Sequence, residues 1–238
     1  MILQVLIRGK PETIEMLQGI LAPDNPSAFV QEKVGAWLGF DIPGPEAIPR
    51  VVEDLNDVLD LAAGAMSLWA NSHDRPRVTN ICYQDPKTGR RKGKLFNAYS
   101  VVPALTPEGI LHPTPAGIPY GAAVICIAQE DAAVARALSV AAADVIGWWE
   151  LYILLEILRD SLAKRENRKS GSWEALFGVL SARYGKSVKR LQELKRTINY
   201  HRHFRSDLPA EPWENQEALV FVRTAVRDWI DGLLSGNN

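Results

Sequence analysis

Two residue types suited to phosphate chemistry fall together in one short stretch, Leu194-Lys195-Arg196-Thr197-Ile198-Asn199-Tyr200-His201-Arg202-His203. An imidazole with an ordinary pKa near ~6.5 can take or supply a proton at neutral pH. A guanidinium holds a phosphate through paired hydrogen bonds and offsets the charge that grows in a transition state. Arg196 pairs by spacing with either His201 or His203. At about 100° per residue, Val188, Leu191, Leu194 and Ile198 share one helix face that must pack. Arg196, Tyr200 and His203 lie roughly 120–140° away from that face, with Asn199 at its edge. His201 leans toward the apolar side, which suits a buried or half-buried structural histidine. Arg202 points back toward the same side, where the helix bends or ends.

Charge agrees with a polyanion as partner. The 238 residues carry a formal net charge of -1, but the charge is unevenly distributed. Residues 1–158 sum to -6, residues 159–205 to +9 and residues 206–238 to -4. Clustered Lys and Arg raise the local potential, although solvated helix faces rich in lysine would produce the same count.

The elements that must position these residues follow from proline and periodicity. Thirteen of the 15 prolines lie at or before Pro119, and residues 120–208 contain none, as long helices require. The spacing predicts helices over Glu130–Val145 and Trp148–Lys164, either joined into one or bent at Gly147. It predicts further helices over Trp173–Tyr184, capped by Ser172 and ended by Gly185, and over Ser187–Phe204. A last helix runs from Glu214 to about Leu234, burying Ala218, Phe221/Val222, Ala225/Val226, Trp229 and Leu233. Upstream, Met1–Arg8 reads as a strand, Pro11–Gln18 as a short helix, and Pro49–Trp69 as a helix burying Val52, Leu55, Leu59 and Ala62/Ala63. Val78–Gln84 and Lys94–Val102 read as strands flanking a basic hairpin loop, residues 85–93. Ala122–Ala128 fits either a strand or the approach to a helix. The expected architecture is α+β: a mixed α/β layer over residues 1–128, then an antiparallel four- or five-helix bundle over 129–238.

Composition excludes several classes. With 47% hydrophobic and 23% charged residues the chain is globular. Two cysteines, Cys82 and Cys126, make no disulfide scaffold or zinc spacing. The apolar run at Met1–Arg8 has no basic region before it, and no stretch reads as a membrane span, so a soluble, cytoplasmic protein is expected. No Gly-rich phosphate loop and no nucleophile elbow is present. Glu53, Asp54, Asp57 and Asp60 read as a solvated helix face rather than a metal site. His73-Asp74 and His112 could each meet a serine in space, but without that elbow nothing supports a hydrolase. The basic loop Lys87–Lys94 reads as a hairpin tip kept soluble, or as a phosphate contact. Trp148-Trp149 reads as core or as a dimer face.

The Arg-x4-His and Arg-x6-His spacings at Arg196, His201 and His203 resemble the Arg-x4–6-His signature of the HEPN superfamily, the higher-eukaryote and prokaryote nucleotide-binding domains. Trp149-Glu150-Leu151-Tyr152-Ile153-Leu154-Leu155-Glu156-Ile157-Leu158-Arg159 is similar to the aromatic first helix of such bundles. The resemblance covers about residues 130–235. It departs at Thr197, where many catalytic members carry Asn, Asp or His. It implies metal-independent RNA cleavage to a 2′,3′-cyclic phosphate, in an effector of phage defence or another stress response. It also implies a homodimer with two motifs facing one cleft, and no metal or cofactor. Arg196 with His203 or His201 would then be catalytic, with Asn199 and Tyr200 positioning the phosphate or the histidine. Arg202 and Arg205 would add phosphate affinity. The alternatives are a non-catalytic module of the same fold that binds nucleic acid or a protein, and a helical scaffold unrelated to nucleic acid. Residues 1–128 are left with no assigned role beyond contact with a partner protein.

Overall fold

The structure is a computed structural model that describes residues 1–21, 30–32, 35–70, 74–85, 87–89, 91–93, 104–105, 120–143, 145–167, 171–203 and 208–236. It divides into two compact units, Met1–Asp131 and Ala132–Asn238. The chain is mixed α and β, and mostly helical.

The first unit is built on β1, Ile2–Arg8. This strand lies between two antiparallel neighbours, β3 (Gly35–Asp41) and β4 (Arg77–Gln84). Val5 stands opposite Leu38 on one side and Ile81 on the other. Leu3, Val5 and Ile7 are fully buried, as are Leu38 and Phe40, so the hydrophobic residues of the central strands set the register. Short strands complete the sheet. β2 (Val30–Glu32) pairs with β3, β5 (Arg91–Gly93) pairs with β4, and β6 (Ala104–Leu105) runs parallel to the end of β3. The path order is β2-β3-β1-β4-β5.

The hairpin differs from expectation. The strand that returns along β4 begins at Arg91, inside the expected loop, and the expected strand 94–102 lies outside the described residues. A tight turn explains the shortening: Asp85 accepts the amides of Lys87 (2.9 Å) and Thr88 (3.3 Å), and its carbonyl accepts that of Gly89 (2.8 Å). Gly93 holds a positive φ of 104°, and a Cβ there would collide with the Ile81 carbonyl.

Among the described residues, three α-helices accompany the sheet: α1 (Pro11–Leu21), α2 (Ile48–Ala70) and α3 (Tyr120–Glu130). α3 packs on α1 and α2 through Ala122, Val124, Ile125 and Ala128, which settles that segment as helix. On α2 the buried face runs through Val51, Leu55, Val58 and Leu59, while Val52 is only half-buried. The acidic side of α2 is partly neutralised, since Asp60 pairs with Arg75 (3.0 Å) and with Arg77. Both cysteines are buried, and neither forms a disulfide.

Among the described residues, the second unit holds five helices: α4 (Ala132–Ala141), α5 (Trp148–Arg165), α6 (Trp173–Tyr184), α7 (Val188–His203) and α8 (Asn215–Leu234). α5 is central and touches each of the other four. Residues 130–164 do not form one long helix, because Gly147 takes an extended backbone and N-caps α5, its amide bonded to the Glu150 carboxylate at 2.9 Å. Ser172 Oγ accepts the Ala175 amide, and Gly185 ends α6 in the left-handed region at φ 67°. Ser187 Oγ accepts the Arg190 amide at the start of α7. On α8 the buried stripe is Ala218, Val222, Ala225, Val226 and Ile230, with Phe221, Trp229 and Leu233 half-buried at its flank. Ile230 takes the inward place expected for Trp229, whose wide indole sits where one edge stays in water.

Candidate functional site

α7 carries the candidate residues, and its packing decides which of them are available. Leu191, Leu194, Thr197 and Ile198 are all fully buried. This inward stripe is turned by about 110° from Val188, which is 38% exposed instead of packed as expected. Thr197, directly after Arg196, is a structural bolt. Its Oγ1 donates to the Glu193 carbonyl (2.9 Å) and accepts the backbone amide of Trp213 (3.2 Å). Trp213 in turn is buried beneath cations, with Arg190 at 4.6 Å and Lys186 at 5.3 Å from its ring, and its Nε1 donates to the Arg190 carbonyl (2.9 Å).

Arg196 and His203 point the other way. Both are exposed, on one side of the helix and two turns apart, about 10 Å along the axis. His201 is exposed as well, against the expectation of a buried or half-buried residue. It lies against the N-terminal end of α5, which begins at Trp148. Trp148 stacks on its imidazole at 4.7 Å with the planes 2° apart, and Tyr200 meets it edge-on at 5.0 Å. Arg202 lies across α5, its guanidinium 3.5 Å from the Tyr152 ring and 4.3 Å from that of Trp149, with Nη1 3.5 Å from Asn199 Oδ1. Its Nε is buried and makes no hydrogen bond among the described residues. Arg205 lies outside the described residues, as do His73 and His112.

Beside Arg196 the surface sinks into a groove of about 330 Å³ between α6 and α7. Gln192, Lys195, Arg196 and Asn199 line it from α7; Trp173, Glu174 and Phe177 line it from α6. Lys195 Nζ sits 4.4 Å from the Trp173 ring centre, and Arg159 Cζ lies 4.9 Å from the same ring. Burial and the neighbouring Arg159 push the Lys195 ammonium below its usual pKa. The groove thus joins Arg196 and Asn199, and it adds Lys195, Gln192 and Trp173, which the Arg–His spacing did not single out. The α7 members follow i, i+3, i+4, i+7 and are legible as a polar stripe; the contribution of Trp173 requires the α6–α7 crossing.

Much of the basic block is neutralised within its own unit. Arg183 pairs with Asp228 (3.5 Å), Lys186 with Glu217 (3.5 Å), and Arg190 with Glu217 (3.0 Å) and Glu193 (3.5 Å). The acidic segment 206–238 therefore offsets the +9 block locally. Arg196 has no ion pair among the described residues. Among the described residues no group of three His, Cys, Asp or Glu side chains could hold a metal ion, and no helix is long and apolar enough to cross a membrane. Compared with known proteins, the chain matches no family model, no curated sequence and no solved structure.

Proposed function

We propose that the second unit is a HEPN-like bundle that binds and cleaves RNA without a metal, through Arg196 and His203. One observation carries the reading. Arg196 is an exposed guanidinium without an ion pair, in a block whose other arginines on α6 and α7 are held by carboxylates or aromatic rings. A guanidinium kept this way is available to a phosphate. His203 shares its side of the helix, whereas His201 is engaged by Trp148, so His203 is the histidine assigned to chemistry.

In this reading Arg196 grips the scissile phosphate and stabilises the additional negative charge of the transition state. His203 takes the proton of the 2′-hydroxyl, the 2′-oxygen attacks phosphorus, and the bond from phosphorus to the 5′-oxygen breaks. A second proton must reach that leaving oxygen, and a second copy of the chain supplies it from the partner's His203. A homodimer is therefore part of the proposal, and Trp149, 54% exposed beside the 79% exposed Val145, offers apolar surface for it. A second reading, a non-catalytic nucleic-acid- or protein-binding module, draws on Thr197, whose place in the motif is given to structure. Incubating the purified protein with total RNA in EDTA separates the two. Cleavage that disappears in Arg196→Ala supports the enzyme, and binding without cleavage supports the module.

A further inference from the structure

We infer that the α6–α7 groove is a nucleotide subsite, and that it takes one unpaired nucleotide of an RNA chain next to the phosphate on Arg196. The inference rests on the RNA reading above and goes further by naming the form of the substrate. A volume of about 330 Å³ falls at the lower end of small-molecule pockets and suits one nucleotide. Its chemistry suits both halves of that ligand. Of the two aromatic side chains that line the groove, Phe177 is buried and Trp173 half-buried, so Trp173 is the one that keeps surface for a base. Gln192 and Asn199 each present a carboxamide, which can donate and accept along the edge of an exposed base. Lys195 and Arg196 both line the groove and supply two cations for the phosphate.

The state of Lys195 supports the same assignment. Its ammonium is held over an aromatic ring close to a second cation, Arg159, and partly out of water. The charge of Arg159 is already paired with Asp160 (2.7 Å) and Glu156 (3.7 Å), so a phosphate arriving in the groove offsets chiefly the burial of the Lys195 ammonium. Glu174, at the opposite wall, places one negative charge away from the two cations of α7 and disfavours a second phosphate there. A paired base is stacked inside its helix and cannot enter a groove, so the site selects single strands.

Calorimetric titration of the full chain tests this with uridine and adenosine monophosphates, inorganic phosphate, a four-nucleotide RNA blocked against cleavage by 2′-O-methyl groups, and a duplex. The expected order is the RNA tetramer tightest, then a mononucleotide, with inorganic phosphate at least about tenfold weaker than the mononucleotide. Lys195→Gln and Gln192→Ala should each weaken mononucleotide and tetramer binding by about fivefold or more, while duplex binding stays unchanged. Lys164→Gln, an exposed lysine away from the groove, should alter none of these. Circular dichroism confirms that each variant is folded. Mononucleotides binding no better than inorganic phosphate, or insensitive to Lys195→Gln, would overturn the subsite even if RNA is cleaved. A mononucleotide binding more tightly than the tetramer would overturn the assignment to an RNA chain. Nucleotide and tetramer binding as expected, without any RNA cleavage, would retain the subsite and remove the enzyme.

Discussion

Thr197→Val isolates the contact that ties the segment before α8 to the helix bearing Arg196. Valine keeps the shape of threonine, so no cavity opens, and the change removes only the hydroxyl. That hydroxyl is fully buried and accepts the Trp213 amide at 3.2 Å. Without it the amide is left unpaired in the interior, at a cost of about 1–3 kcal/mol. The Glu193 carbonyl loses one of its donors and suffers less, because a helical carbonyl is also bonded along the helix. A net loss of about 2 kcal/mol is expected, read from urea denaturation monitored by far-ultraviolet circular dichroism. Hydrogen exchange adds a residue-specific reading: the Trp213 amide should exchange faster in the variant relative to amides in the middle of α5. A variant within about 0.5 kcal/mol of wild type, with Trp213 exchange unchanged, would mean that the hydroxyl does not hold that amide. Asparagine at the same position, the residue type of many HEPN enzymes, must fit a larger polar group into a filled site and should cost more than valine.

The remaining predictions concern charge, stacking and assembly. Burial and the hydrogen bond to Asp228 (2.9 Å) push the Tyr184 phenol above its usual pKa, so the folded chain holds this proton more tightly than the unfolded one. Its contribution is whole below about pH 10 and is lost as pH rises further, and Tyr184→Phe should flatten that alkaline decline in a series of denaturation curves. His201→Ala removes a face-to-face stack from an exposed position and should cost about 0.5–1.5 kcal/mol, measured by denaturation, while RNA cleavage persists. Light scattering should find a dimer at tens of micromolar (roughly, for ordinary dimer affinities), and Trp149→Ser should shift it toward monomer.

Much of the second unit was legible because its signals are local. Ser172, Gly185 and Ser187 mark helix ends through their own side chain or backbone, and each does so in the structure. The orientation of α7 was legible only in part. Leu191, Leu194 and Ile198 pack as their periodicity requires, but Val188 is exposed because Thr197, a polar residue, belongs to the buried stripe. A hydroxyl acquires that role only when a distant amide, here that of Trp213, needs a partner. His201 was misplaced for a related reason: a helical wheel assumes that the neighbouring helix continues, and α5 begins there. The groove was half visible, as a polar stripe on α7, and its aromatic wall depends on where α6 crosses. In the first unit, strand order depends on long-range pairing that alternation alone does not encode, and the hairpin register was set by Asp85 and Gly93 rather than by the apolar runs.

RNA cleavage by Arg196 and His203, as proposed, is decided by the chemistry of the product ends. Wild-type protein, incubated with a labelled single-stranded RNA in EDTA, should yield fragments ending in 2′,3′-cyclic phosphate, identified by mass spectrometry. Arg196→Ala and His203→Ala should yield none, while each loses no more than about 1 kcal/mol of stability, as exposed positions do. Intact RNA with the wild type, or cyclic-phosphate ends made equally by both variants, would mean that these two residues do not cut RNA.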